Sequence, residues 1–316
     1  MTKKSMNHVS NYRRNAMLKR GLFSICTFYA VSPIHAGSGS SFAAVDLPIQ
    51  RERHTNWPHI QASGVKGAMR AHYRDFAEDK SLINFLFGYD KDDDDYHKSY
   101  NSKRQENERF EVKDNFPGAI SFSDAKLLAF PVRSNIAPFV WVTCPAVLKR
   151  LSDDLSFTGL GSIDDIQNID GENALCLAGN ISDKVILEDM FVNVVNVSTS
   201  NPIPQGFPTL DRLLLVSNET YKYAVESCTE IQTQIKIDSE KGTAQDGSLR
   251  YQELLPADSV LYTVVYYSRA VFDNALQAET VCSHVQDIIT KFIQIGGDET
   301  LGRGICKLNW ISGGGK

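Results

Sequence analysis

The sequence predicts an α+β fold, with a ferredoxin-like core decorated by insertions. Three observations carry this. The periodic segments follow the order strand, helix, hairpin, helix, strand, which is the split βαβ arrangement. Two polar or turn-rich tracts interrupt that order as insertions. The 316-residue chain, 42% hydrophobic and 22% charged, has the composition of a soluble globular protein and the length for one large domain with insertions.

Taken in order, residues 1–20 are polar and basic and predict a disordered leader, with Met17 as a second candidate start. No Asp or Glu precedes Asp46, whereas Lys3, Lys4, Arg13, Arg14, Lys19 and Arg20 do. The run LFSICTFYAV at 22–31 is rich in aromatic and β-branched residues and predicts a buried first strand. The same start resembles a secretory signal peptide, but cleavage near Ala36 would delete that strand. A long loop follows, then a helix with Ser63 as candidate N-cap and Val65, Met69, Tyr73 and Phe76 as its core stripe. Lys66, Arg70 and Arg74 repeat every fourth residue on a neighbouring face, either as a solvated face or as a track for phosphates.

Residues 89–117 are strongly polar and predict a flexible insertion that buries little area. Residues 118–132 return to strand character, with 139–143 as hairpin partner, and 144–155 predict a helix with Pro145 in its first turn. The mixed pattern of 156–212, with short β-like runs such as KVILEDMFVNVVNV between turn-rich stretches, predicts a second insertion with some order of its own. Beyond it come a strand at 233–237, a hairpin near 238–258 and an apolar strand at 260–267. A helix over 274–292 carries Ala275, Ala278, Val281, Val285, Ile288 and Ile289 on one side. A strand at 292–295, a glycine-rich loop at 296–304 and a strand at 305–310 close the domain, which spans 21–316.

A net charge of −5 and a pI near 5.8 exclude an indiscriminate polyanion binder, because the basic amino-terminal part is offset by acidic runs at 92–95 and 164–165. Six scattered cysteines without a CxxC pair point to reduced core thiols in a cytoplasmic protein. No apolar run is long enough to span a bilayer.

The chemistry-bearing residues concentrate in 35–74. Asp46 is a lone acid between Val45 and Leu47, with Pro48 after it, on a loop. Such a carboxylate can hold a divalent metal through water or accept a proton from a hydroxyl. The alternative is an Asx-type turn or a helix cap. One carboxylate is too few for a tight two-metal site, so any ion, Mg or Mn, is weakly bound and partly hydrated. His35 near the mouth of the loop is available for acid–base steps or for a hydrogen bond within it. The stretch IGGDETLGRG lacks the GK[ST] of a Walker loop and precedes a strand rather than a helix. Its glycines suit a turn approached closely by another backbone, of its own chain or of a nucleic acid. No GxSxG elbow or nucleophilic cysteine context supports a hydrolytic triad.

Six motifs, SPIHAGSGSS, AAVDLPIQRERHTNWPHI, ASGVKGAMR, GAISFSDAKLLAFPVRS, RYQELLPADS and IQIGGDETLGRG, together resemble the backbone subunit of type III-B CRISPR (Cmr) effector complexes, in the RAMP superfamily. The resemblance implies a palm with a modified RNA-recognition (ferredoxin-like) fold and an inserted thumb. It implies that copies of the subunit stack along one CRISPR guide RNA with other Cmr subunits. Each copy would cut paired target RNA once in a divalent-metal-dependent step; the alternative is a non-catalytic scaffold on the same guide. Residue by residue, it makes Asp46 the catalytic aspartate and metal contact, His35 the loop histidine, and Glu253 beside Tyr251 the thumb-side acid. Lys66 and Arg70 match the guide-binding helix, and Arg74, Arg51, Arg53, Gly296, Gly297 and Arg303 complete the implied RNA contacts. Arg250 and Gln252 depart from the family pattern, which expects an aromatic and an acidic residue there.

Overall fold

The computed structural model describes residues 22–41, 44–103, 115–181, 183–195, 201–271 and 276–313. The predicted leader at 1–20, and Ala275 of the predicted last helix, lie outside the described residues. β1 (Leu22–Ala30) runs through the centre of the molecule, with Ile25, Cys26, Phe28 and Ala30 fully buried. Both of its faces are covered, which is why it lacks a polar alternation.

The short β2 (His59–Ile60) leads into α1 (Ala62–Phe76). Val65, Met69 and Tyr73 are buried as their spacing demands, but Phe76 is 67% exposed. The helix stops there, and the buried Ala77 turns inward instead. The N-cap position is Gln61, not Ser63, which sits inside the first turn. The orphan N–H groups are satisfied from elsewhere: Ala62 donates to Asp124 (2.7 Å) and Gln61 to Gln50 (2.8 Å).

A fully buried turn of helix, α2 (Ile83–Phe87), is followed by α3 (Asp94–Ser102). Residues 91–103, expected within an unpacked polar insertion, are therefore folded. Tyr100 packs on Phe85 with ring centroids 4.6 Å apart, and Asp93 is buried beneath α1. The intervening aspartates lower the mean hydropathy and mask this inward side. Residues 104–114 of that insertion lie outside the described residues, and Phe116 after them is buried against Phe85.

The predicted strand at 118–132 divides into β3 (Ile120–Phe122) and β4 (Ala125–Arg133), and β4 pairs with β5 (Phe139–Thr143). α4 (Pro145–Thr158) begins on Pro145, whose missing N–H costs nothing in a first turn. The second expected insertion supplies β6 (Asn173–Ala178), β7 (Asp183–Leu187) and β8 (Met190–Val195). β9 (Leu213–Val216) joins these to β5, so they extend the main sheet rather than standing apart from it. α5 (Asn218–Ser227) starts on Ser217, whose hydroxyl accepts the Thr220 N–H.

β10 (Glu230–Gln234) and β11 (Arg250–Leu254) form a separate two-stranded hairpin. β10 begins before the strand predicted at 233–237, and an isolated bridge between Ile237 and Ala244 closes the connection. β12 (Val260–Tyr267), α6 (Ala278–Ile288), β13 (Phe292–Gln294) and β14 (Ile305–Ser312) complete the chain.

Among the described residues the main sheet runs β13-β14-β1-β12-β4-β5-β9-β6-β8-β7. Its heart, β14-β1-β12-β4, is antiparallel throughout and reproduces the strand order of a ferredoxin-like unit. α1 and α6 are the two crossover helices, joined by Tyr73 Oη and His284 Nε2 at 2.8 Å. The fold is α+β, as expected. Its consequence for function is that the loop after β1 emerges beside β11 and the glycine-rich loop before β14.

Candidate active site

The loop after β1 doubles back as a hairpin. Gln50 donates to Ala36 O (2.7 Å), Ser38 to Pro48 O (3.0 Å) and Ser41 to Asp46 O (2.8 Å). The returning arm then runs parallel to β11, with Leu47 N–H on Tyr251 O (3.1 Å) and Glu253 N–H on Leu47 O (3.0 Å). Leu47 and Ile49 supply the N–H groups that face β11, so Pro48 between them costs that ladder no donor.

This pairing places Asp46. Its Oδ2 accepts the Tyr251 N–H at 2.7 Å, while Oδ1 has no hydrogen-bond partner among the described residues, and the side chain is only half-buried. Tyr251 thus contributes its backbone; its ring is exposed on the hairpin face that also carries Ile231, Ile235 and Leu249.

His35 sits between β11 and the glycine-rich loop. Its Nδ1 lies 2.9 Å from Glu253 O, and since a carbonyl only accepts, Nδ1 carries the proton, while Nε2 has no hydrogen-bond partner among the described residues. A Cβ on Gly37 would stand 2.7 Å from that Nε2, so glycine there leaves room for the imidazole. On the other side, Gly297 N–H donates to His35 O (2.8 Å). Gly296 has φ +102°, and a Cβ on it would fall 2.6 Å from His35 O. The close backbone that these glycines admit is therefore the chain's own.

Glu253 is buried and saturated. It accepts from Ile49 N–H (3.0 Å), Arg51 Nη2 (2.6 Å) and Thr229 Oγ1 (2.9 Å). Arg51, expected on RNA, is committed inside the protein, since its Nη1 also donates to Asn56 O (2.8 Å) and Val225 O (3.0 Å). Its neighbour Glu52 is held by both Nη atoms of Arg150 (2.6 and 3.1 Å), and Arg150 lies over the Trp57 ring. Burial raises the Glu52 carboxyl, but hydrogen bonds from Thr55 and Arg150 outweigh it and leave the pKa below the usual range. Arg53 is exposed, with no ion-pair partner among the described residues.

The row on α1 is not uniform. Arg70 donates to Asp93, Gly88 O and Asn84 Oδ1, and Arg74 donates to Asp93, so both are tied up within the protein. Lys66 alone of the three has no hydrogen-bond or ion-pair partner among the described residues. Burial, then the Arg70 charge, push its pKa down. In the glycine-rich loop Arg303 donates to Gln232.

Two contributors had no sequence signal. Buried Gln252, at the position where the family pattern expects an acid, donates to Asp298 of the glycine-rich loop and accepts from Gln234. Thr229 reaches Glu253 from the end of α5. Among the described residues no three His, Cys, Asp or Glu side chains converge as a metal cage. A single half-buried carboxylate of this kind suits a largely hydrated ion held through its water rather than a caged one.

The β14-β1-β12-β4 sheet crossed by α1 and α6 defines a fold class, and comparison with known proteins agrees with that fold. The RAMP superfamily model matches residues 27–307, and the chain belongs to that superfamily. Within it, the chain is similar to the CRISPR system Cmr endoribonuclease Cmr4 of Pyrococcus furiosus, at 31% identity over 89% of this chain and 92% of that one. It is also similar to the CRISPR system CMR subunit Cmr4 of Saccharolobus solfataricus, at 25% identity over 90% and 94%. The crystal structure of oligomeric Cmr4 from Pyrococcus furiosus superposes with a TM-score of 0.68, at 25% identity over 93% of this chain and 100% of that one. Type III-B Cmr-beta bound to cognate target RNA has the same fold, with TM-score 0.71 at 22% identity over 91% and 96%.

Proposed function

We propose that this chain is the target-cleaving backbone subunit of a type III-B ribonucleoprotein. Several copies bind one CRISPR guide RNA beside other Cmr subunits and cut complementary target RNA at regular intervals. A curated relative named a Cmr endoribonuclease and a solved relative named as oligomeric support this reading. A cytoplasmic setting is supported by six unpaired thiols, and among the described residues no helix is long and apolar enough to cross a membrane.

The observation that carries the catalytic assignment is the half-open carboxylate of Asp46, fixed through one oxygen and available through the other. RNA brings its own nucleophile. The 2′-hydroxyl oxygen bonds to phosphorus as the bond to the 5′-oxygen breaks, leaving a cyclic phosphate and a 5′-hydroxyl. Asp46 Oδ1 takes the 2′-hydroxyl proton, and His35 Nε2, when protonated, delivers one to the departing oxygen. The rest is alignment of a splayed nucleotide at the root of the β10–β11 hairpin. A divalent ion at Asp46 would supply charge neutralisation at the phosphate. Guide phosphates are assigned to Lys66 and Arg53, the two cations of the predicted set without hydrogen-bond or ion-pair partners among the described residues; base pairing selects the sequence.

Asp46→Ala in the assembled complex is expected to lower cleavage by about 10²–10⁴-fold, with guide and target binding intact, and chelation should abolish cutting by the wild type. Periodic cleavage that persists in Asp46→Ala would reduce the subunit to a guide-binding scaffold.

A further inference from the structure

We infer that Arg51 and Glu253 are a positioning pair for the cleavage step: their buried ion pair sets the register of the Asp46 strand on β11. This rests on the proposed function above and concerns how its aspartate is held.

The ion pair is short, at 2.6 Å, and its side chains are 16% and 8% exposed. Both partners act as hubs. Glu253 receives Ile49 N–H through its carboxylate and His35 Nδ1–H through its carbonyl, so the strand of Asp46 and the ring of His35 are tied to one residue of β11. Arg51 ends that strand. Its fork reaches Glu253, the Val225 carbonyl in the last turn of α5 and Asn56 O, and so anchors the strand to the body of the protein. A guanidinium near a helix C-terminus is also well placed for the helix dipole.

The consequence for Asp46 is geometric. In a parallel ladder a slip of one residue reverses every side chain. Four residues lie between Asp46 and Arg51, and of these only Leu47 and Ile49 donate toward β11. Losing Glu253 frees Ile49 N–H and strands the Arg51 charge, while losing Arg51 strands the Glu253 charge and unties the arm from α5; either lets the arm shift and takes Asp46 off the Tyr251 N–H. A buried carboxylate with three donors is poorly placed to shuttle a proton, and a guanidinium with three acceptors has little left for a phosphate.

The experiment uses the assembled complex carrying Arg51→Ala, Glu253→Ala, both together, Glu253→Gln or Arg51→Lys, with Asp46→Ala as control. Single-turnover cleavage is measured against pH, and target binding against salt. Each alanine variant is expected to lose about 10- to 100-fold in rate, and the double variant no more than the worse single, since the pair acts as a unit. The shape of the pH–rate profile and the salt slope of binding should stay those of the wild type. Multiplicative losses in the double variant, a limb of the profile removed by Glu253→Gln, or a salt slope reduced by about one in Arg51→Ala would each overturn the inference. If the alanine variants do not assemble, the same cycle with Arg51→Lys and Glu253→Gln decides by the same criteria. Active Asp46→Ala complexes would instead refute the catalytic proposal itself.

Discussion

Asp46 and Asp93 are two aspartates that the chain treats in opposite ways. Asp46 takes one backbone N–H and keeps an oxygen free among the described residues. Asp93 has a fully buried side chain and accepts from Arg70 Nε (2.9 Å) and Nη2 (2.6 Å) and from Arg74 Nε (2.9 Å) and Nη2 (3.1 Å). Their sequence settings suggest the reverse, with Asp46 framed by apolar residues and Asp93 in a run of four aspartates. Neighbours along the chain do not decide whether a carboxylate is available for chemistry. The number of donors that tertiary structure aims at it does, because each donor stabilises the ionised form and occupies a lone pair.

The sharpest way to break this contrast is to delete each carboxylate and measure stability. Asp93→Ala leaves two arginines facing a buried site without their counter-charge, and should cost about 3–5 kcal/mol in denaturant unfolding. Asp46→Ala removes one hydrogen bond at a half-buried position and should cost about 1 kcal/mol. Equal losses would mean that Asp46 is a structural residue too.

What was legible in the sequence follows from the same distinction. Local periodicity set by burial was readable: β5 and β12 have the predicted limits, and Val65, Met69 and Tyr73 face the core. α5 carries a local signal too, Ser217 as cap before Tyr221, Ala224 and Val225, but a weaker one than the apolar strands β9 and β12. Long-range pairing was not readable. Arg70 resembled a free phosphate contact because Asp93, 23 residues away, sat in a segment dismissed for its charge. Arg51 and Glu253 are 202 residues apart, and no spacing rule links them. Only the resemblance singles out Asp46; its setting in the chain favours a turn or cap role.

A smaller effect tests the Asp93 half through pH. Burial pushes the Asp93 carboxyl up, but hydrogen bonds from Arg74 and Arg70, with their charges, bring it net below the ordinary range. A depressed pKa contributes stability that is fully present above the unfolded value, about 3.9, and is lost as pH falls through the folded value. Wild type should therefore exceed Asp93→Asn in melting temperature near pH 7, with the gap closing below about pH 4. A gap that stays constant to pH 3 would mean that the arginines gain nothing from the ionised carboxylate.

The smallest effect concerns what remains of the α1 row once Asp93 has claimed its share. With Arg70 and Arg74 committed, Lys66 is the α1 cation left for a phosphate. Lys66→Ala should lower the log–log salt slope of guide binding by about one while leaving the unfolding midpoint nearly unchanged. Changing Arg70 as well would confuse the measurement, because it loosens the Asp93 clamp and α1 with it. Burial and the Arg70 charge lower the Lys66 pKa, so its share of binding should fade at a lower pH than that of an ordinary lysine as the solution is made alkaline. Should Lys66→Ala leave the slope untouched while Arg70→Ala reduces it, the clamp must open when RNA arrives, and Asp93 would then be a counter-ion that the guide displaces.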